Sequence, residues 1–264
     1  MKQYKALFLD IDGTILRQDH TIEPSTKEAI SIARQKGIEV FLATGRPLHE
    51  IYTIAEELGI HSFIGYNGAY ALYQEKILVD EPISATIIEH YLKIAKQNHH
   101  EVILYTNSHN LLTSLETKAV RQFIDYFALS DTALYQDKYR NQILGITIMN
   151  VSPDEIALYN LDHENIYFSQ VNVKGLEHSY DVIRENVNKG MAIKSILEEL
   201  HLSPDQAIAF GDGMNDKQML QFVGNSFAMG GNANPELFQY AKYRTTTVEN
   251  SGIFNGLRKL GIIT

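Results

Sequence analysis

Cysteine and tryptophan are both missing from the 264 residues. Without cysteine there is no disulfide, no thiolate nucleophile and no sulfur ligand for a metal, and a chain of that kind fits a reducing compartment. Basic charge is the scarcer sign: 23 Lys and Arg stand against 32 Asp and Glu, a net charge of −9. No cluster of Lys and Arg is long enough to make a basic stripe, so nucleic acid is excluded as the main partner. Long apolar runs are missing as well. Stretches such as ILGITIM at 143–149 fall far short of the roughly 20 residues a membrane helix needs. The chain opens on a strand pattern and not on a charged segment followed by an apolar one, so no signal peptide is legible. The expectation is a soluble cytoplasmic protein with no membrane partner. Internal repeats and low-complexity segments are also lacking.

What is present is an ordinary globular composition, 44% apolar and 21% charged, long enough for one large domain or two smaller ones. Strand and helix signals alternate at both ends. KALFLDI (5–11) and IEVFLA (38–43) are continuous apolar runs, the pattern of strands buried on both faces of a parallel sheet. PSTKEAISIARQKG (24–37) reads as a helix that Pro24 opens and Gly37 stops, and PLHEIYTIAEELG (47–59) as another. SFIGYNGAYALY (62–73) reads as two strands joined at Asn67-Gly68. After residue 186 a helix from about Gly190, the strand AIAFG (207–211), a short helix after Met214 and the strand SFAMG (226–230) repeat the grammar. GGNANP (230–235) reads as a loop and helix entry near Pro235, and a last helix ends the chain. Such βα repetition predicts an α/β fold with a doubly wound parallel sheet.

The middle third differs. It holds a helix at 85–97, strands at EVILYT (101–106) and ILGITIM, a helix near SPDEIALYNL (152–161), and strands at NIYFSQVNV (165–173) and HSYDVI (178–183). That mixture predicts an α+β insert at 83–185, with 1–82 and 186–264 forming one core around it.

Chemistry concentrates at three strand ends: Asp10, Asp12 and Thr14 after the first, Thr44 and Gly45 after the second, and Asp212, Asn215 and Asp216 after AIAFG. Open α/β sheets bind ligands outside the carboxyl ends of their strands. If these strands are neighbours, the carboxylates converge, and they repel one another unless a cation lies among them. Hard oxygen ligands suit Mg²⁺. The hydroxyl and amide groups at Thr44 and Gly45, with one lysine, could cradle a phosphate, and a carboxylate beside it could attack phosphorus. Lys174 and Lys189 both precede glycine; Lys189 is preferred because it opens an amphipathic helix that returns to the core. GDGMND (211–216) makes a poor dinucleotide fingerprint, since Asp216 stands where the third glycine belongs.

DIDGT at 10–14, ATGR at 43–46, NKG at 188–190 and GDGMND at 211–216 resemble, in order, the four motifs of the haloacid dehalogenase superfamily. The insert between the second and third, together with YNGA at 66–69, resembles the Cof-type subfamily IIB. The resemblance implies a Rossmann-like core with an inserted cap that selects the substrate. It also implies a Mg²⁺-dependent phosphatase acting on a small phosphorylated metabolite, such as a sugar phosphate, through an aspartyl-phosphate. By position, Asp10 resembles the nucleophile and a metal ligand. Asp12 resembles the general acid/base, with its carbonyl on the metal, and Asp212 the third ligand. Thr44, Gly45, Lys189 and Asn215 resemble the phosphate-holding groups, with Asp216 supporting them from behind. Arg46 and Asn67 are placed with the substrate-binding residues. Dehalogenases of the superfamily lack a carboxylate at the position of Asp12, which favours a phosphatase. A phosphomutase, or a protein that binds phosphometabolites without turnover, are the alternatives.

Overall fold

The computed structural model describes residues 4–161, 165–171, 173–231 and 235–264. Residues 232–234 of GGNANP and residue 172 of NIYFSQVNV therefore lie outside the described residues. The chain divides into two compact units. One comprises Met1–Arg46, Ile51–Asp80 and Val187–Thr264; the other comprises Pro47–Glu50 and Glu81–Asn186.

In chain order the first unit begins β1 (Ala6–Leu9), α1 (Pro24–Gln35), β2 (Glu39–Ala43), α2 (Tyr52–Leu58), β3 (Ser62–Gly65), β4 (Tyr70–Tyr73) and β5 (Lys76–Asp80). The second unit follows: α3 (Ala85–Asn98), β6 (Glu101–Tyr105), β7 (Asn110–Leu112), α4 (Lys118–Phe127), β8 (Thr132–Leu134), β9 (Gly145–Met149), β10 (Ile166–Gln170) and β11 (Ser179–Arg184). The chain then returns to the first unit with α5 (Lys189–Glu199), β12 (Ala207–Gly211), α6 (Lys217–Phe222), β13 (Asn225–Ala228), β14 (Tyr243–Arg244) and α7 (Gly252–Lys259).

The first unit's sheet runs β14-β13-β12-β1-β2-β3-β4-β5. It is parallel from β14 to β3, and β4 and β5 are antiparallel. The apolar runs have both faces to cover. Ala6, Phe8, Phe41 and Ala209 pack with Ala192, Ile193 and Ile196 of α5. On the other face Phe210 stacks on Phe227 at 4.6 Å, and both lie against Gly256 of α7, where a Cβ would collide with the Phe210 ring. α1 starts as its sequence requires: the Glu23 carboxylate accepts the Ser25 N–H at 2.5 Å, Pro24 needs no donor, and Gly37 leaves in the left-handed region at φ +73°. Since β1 is flanked by β2 and β12, the segments after all three strands emerge at one edge.

The second unit's sheet runs β10-β11-β9-β6-β7-β8, antiparallel except where β7 meets β8. α3 covers one face through Ile87, Ile88, Tyr91 and Ala95, and α4 covers part of the other through Val120 and Phe123. Residues 152–161 are not the α-helix their pattern suggests. Ser152 donates its N–H and hydroxyl to Glu155 at 3.0 and 2.7 Å, but only a short 3₁₀ segment, Ile156–Tyr159, follows. Tyr159 is drawn into the core against Tyr91 at 5.3 Å, with its hydroxyl 2.9 Å from His100 Nδ1. Near Pro235 the expected helix is likewise a 3₁₀ segment, Pro235–Gln239. Among the described residues no helix is long and apolar enough to cross a membrane.

One polar chain crosses the second sheet. The Tyr105 hydroxyl donates to Thr147 Oγ1 at 2.9 Å, and Thr147 donates to Asp181 Oδ1 at 2.6 Å. Burial pushes the Asp181 carboxyl above its ordinary range, and the Thr147 bond only partly offsets this. A carboxyl whose pKa rises on folding favours the native state while protonated, and that contribution is lost as pH rises through the folded-state value. Asp181→Asn should therefore raise the melting temperature at pH 7.5 and change it little near pH 4. Thermal melts at both values check this; equal shifts at both would contradict it.

Candidate active site

The site grows from the carboxyl ends of β1, β2, β3 and β12. Asp10 follows β1 with its N–H on the Phe210 carbonyl at 3.1 Å, and the residue is only 5% exposed. Lys189 is the first residue of α5, whose N-cap Asn188 accepts the Met191 N–H at 3.0 Å. Its side chain is fully buried, and Nζ donates to Asp10 Oδ1 and to Asp216 Oδ1, each at 2.6 Å. The second oxygen of Asp216 accepts the N–H groups of Asp212 and Gly213 at 3.0 and 3.1 Å, which folds the loop after β12 back upon itself. Carboxylate oxygens of Asp10, Asp212 and Asp216 all lie within 4.8 Å of one another.

Electrostatics follow from this crowding. Burial pushes the Asp10 carboxyl well above its usual range, the Asp216 charge adds to the rise, and Lys189 opposes it. Asp212 is pushed up to about 6, chiefly by burial and then by Asp216. Burial alone would lower the Lys189 ammonium, but the Asp10 and Asp216 carboxylates outweigh it and hold the group protonated above its ordinary value.

A second cluster gathers beside the first. Thr44 is buried; its hydroxyl accepts the Arg46 N–H at 3.0 Å and its carbonyl accepts the Asn67 N–H at 3.1 Å. A Cβ on Gly45 would approach Asn67 Oδ1 to 2.9 Å, and that oxygen accepts from Asn215 Nδ2 at 3.1 Å. Asn67 and Gly68 form a 3₁₀ turn between β3 and β4. Gly68, at φ +103°, lies so close to the Asn188 carbonyl that no side chain fits. Thr44, Gly45, Asn67 and Asn215 are thus brought together, as are Asp10, Lys189, Asp212 and Asp216.

Asp12 stands apart from the buried cluster. Its side chain is 55% exposed, and both oxygens are held by Arg46, Nε to Oδ2 at 2.8 Å and the terminal nitrogen to Oδ1 at 2.5 Å. Arg46, grouped above with the substrate contacts, has this carboxylate as its partner. The sequence carried no signal for that fork beyond an arginine after the Thr-Gly pair. Thr14 is fully buried, and its hydroxyl has no hydrogen-bond partner among the described residues. Lys174 lies in the second unit and is exposed, whereas Lys189 is inside the acidic cluster.

The donor set fits a hard divalent cation. Asp216 has both oxygens committed, and Asp10 has one on Lys189, which leaves the other Asp10 oxygen and the Asp212 carboxylate. Gly13, at φ +79°, runs so close to Asp212 that a Cβ would overlap its carboxylate, so this backbone is cut to bring the Asp10–Asp12 loop against Asp212.

Comparison with known proteins gives the family. The haloacid dehalogenase-like hydrolase family matches residues 7–257, and the chain belongs to that family. It is a phosphatase of the Cof type. YkrA of Bacillus subtilis (strain 168), classed by name with the phosphatases, is 32% identical over 264 residues, covering 98% of each chain. The phosphatase YwpJ of the same organism is 23% identical over 294 residues, covering 97% of this chain and 99% of its own. A crystal structure from Geobacillus kaustophilus HTA426 superposes with a TM-score of 0.90 at 28% identity, covering 98% of this chain and all of that one. The subclass IIB sugar phosphatase BT4131 shares the fold, with a TM-score of 0.81 at 24% identity over 98% of this chain and all of its own.

The raised carboxyl groups generate a sign that can be checked. An unfolded aspartate titrates near ~3.9, and Asp212 here titrates at about 6. Protonation therefore favours the folded, metal-free protein, and this stabilisation is lost as pH rises through about 6. In EDTA the melting temperature should rise as pH falls from about 7.5 to about 5.5. Asp212→Asn should start higher at the upper pH and show a smaller rise. A wild-type melting temperature that falls over this interval would contradict the assignment.

Proposed function

We propose that the protein is a Mg²⁺-dependent phosphatase that hydrolyses small phosphate monoesters, such as sugar phosphates, through an aspartyl-phosphate on Asp10. One observation carries the reading: a fully buried ammonium, Lys189, bridges Asp10 and Asp216 at 2.6 Å each beside Asp212. Fixed positive charge among carboxylates suits a site that must receive a phosphate dianion and stabilise the charge of its transfer.

The Asp10 oxygen that Lys189 holds attacks phosphorus, and the other oxygen would stay on the cation. The P–O bond to the leaving group breaks as the Asp10–phosphorus bond forms. Asp12 gives the departing oxygen its proton, then takes a proton from the water that attacks phosphorus and releases Asp10. Arg46 occupies both Asp12 oxygens in the substrate-free protein, so one arm of this fork opens to free the oxygen that carries the proton. Thr44, Gly45, Asn67 and Asn215 offer hydroxyl, amide and carboxamide groups to the phosphoryl oxygens. Asp10, Asp212 and the Asp12 carbonyl would hold Mg²⁺, which supplies further positive charge at the phosphoryl group. Selection of the substrate is assigned to the insert at 83–185, because the residues named above act on any phosphate monoester. YkrA and YwpJ, both classed by name with the phosphatases and similar to this chain over nearly their full length, support the reaction class.

Phosphate release from an aryl phosphate in the presence of Mg²⁺, and its loss in EDTA, test the reading. Asp10→Asn should abolish turnover, since a carboxamide cannot form the acyl-phosphate. Asp12→Asn should slow it about 10²–10⁴-fold with binding retained. Turnover indifferent to EDTA, or near-native rate in Asp10→Asn, would overturn the proposal.

A further inference from the structure

Beside the carboxylates the first unit holds a cavity of about 510 Å³. Asp12, Gly13 and Asp212 form one wall. The loop after Asp12, through Arg17, Gln18 and His20, and the segment Thr247, Val248 and Glu249 form the rest, with Gly230 and Gly231 between them.

The charges on this lining do not cancel locally. Asp12 is held by Arg46, and Arg17 is held by Glu23 at 3.3 Å. His20 is exposed on its loop. That leaves Asp212 and Glu249, neither with an ion-pair partner among the described residues. A cleft lined by unbalanced charge of one sign on low-dielectric walls concentrates counter-ions of the other. Of its remaining side chains Gln18 and Thr247 are hydrogen-bonding, and among the described residues no Phe, Tyr or Trp lines it.

Glu249 is exposed on a turn that is firmly pinned. Val248 beside it is 6% exposed, the Asn250 carboxamide donates to Thr247 Oγ1 at 2.9 Å, and the Thr246 hydroxyl donates to the Asn250 carbonyl at 2.6 Å. The backbone that carries Glu249 is therefore held in place, and Glu249 and Asp212 line the same cavity.

We infer that this cavity is the anionic vestibule of the cation site at Asp212, and that the Glu249 charge raises the affinity of that site for a hydrated divalent cation. The inference rests on the metal-dependent reading above. Mg²⁺ gives up its water reluctantly, and a roomy, polar, anionic antechamber admits it with much of that water in place. Glu249 acts at a distance on the cation and is not one of its ligands.

The test measures binding, not turnover. Metal-free full-length protein is titrated with Mn²⁺, and free Mn²⁺ is followed by electron paramagnetic resonance. At about 0.1 M salt, where the Debye length is about 10 Å, Glu249→Gln should weaken Mn²⁺ binding roughly fivefold. Near 1 M salt, where screening cuts that length to about 3 Å, the difference should vanish. Glu75→Gln removes the same charge from the exposed turn between β4 and β5 and should leave the affinity unchanged at both salts. Binding by Glu249→Gln equal to wild type at 0.1 M salt, or a loss matched by Glu75→Gln, overturns the vestibule while the metal site stands. Wild-type protein that binds no Mn²⁺ overturns both.

Discussion

Lys189 Nζ, itself fully buried, lies between one oxygen of Asp10 and one of Asp216, and these two contacts tie β1, α5 and the loop after β12 to one another. Stability alone does not account for such a group. Replacing a buried ion pair or triad by packed apolar side chains is often neutral or stabilising by about 1–4 kcal/mol, whereas removing a single partner costs about 3–5 kcal/mol. The arrangement is therefore a liability unless its charge is used. Its geometry also specifies register. Asp216 can reach Lys189 only because its other oxygen gathers the N–H groups of Asp212 and Gly213, so the ion pair and the loop conformation select each other.

Asp10 and Asp12 are separated by one residue and occupy opposite environments. Asp10 is buried against an ammonium, and Asp12 is half in solvent under a guanidinium fork. An ammonium is a compact charge that leaves a carboxylate one free oxygen, while a bidentate guanidinium fixes the plane of the carboxylate it holds. Two side chains of one type are in this way set apart by the cations beside them: Lys189 takes one oxygen of Asp10, and Arg46 takes both oxygens of Asp12.

Much of the first unit was legible because its strands are buried on both faces. KALFLDI, IEVFLA and AIAFG are continuous apolar runs with no competing helical period, and the polar residues that end each run carry the site. Pro24 and Gly37 bound α1 for local steric reasons that no tertiary contact overrides. The second unit was less readable. Its strands β7 and β8 span three residues each, too short to establish an alternation. The helix α4 went unseen, although it does carry a helical stripe, Val120, Phe123, Ile124 and Phe127. The 152–161 segment has helical composition, yet the pull of Tyr159 into the core ends it as a short 3₁₀ turn. Within the site, the residue types and their spacing pointed to the carboxylates and to Lys189. The Arg46–Asp12 fork could not be read, since it joins positions 34 residues apart through side-chain geometry alone.

The four residues Pro47–Glu50 group with the second unit although they lie between segments of the first. Glu50 shows why: its carboxylate accepts from Asn110 at 3.0 Å, and Asn110 is fully buried on β7. The second unit is accordingly assembled from two pieces of chain, and a chimera that grafts only a relative's 81–186 region into this protein sets the relative's residue at position 110 against this protein's Glu50. Recombination between relatives would have to exchange the short segment along with the long one. Four junctions, not two, define what can be transplanted as a whole.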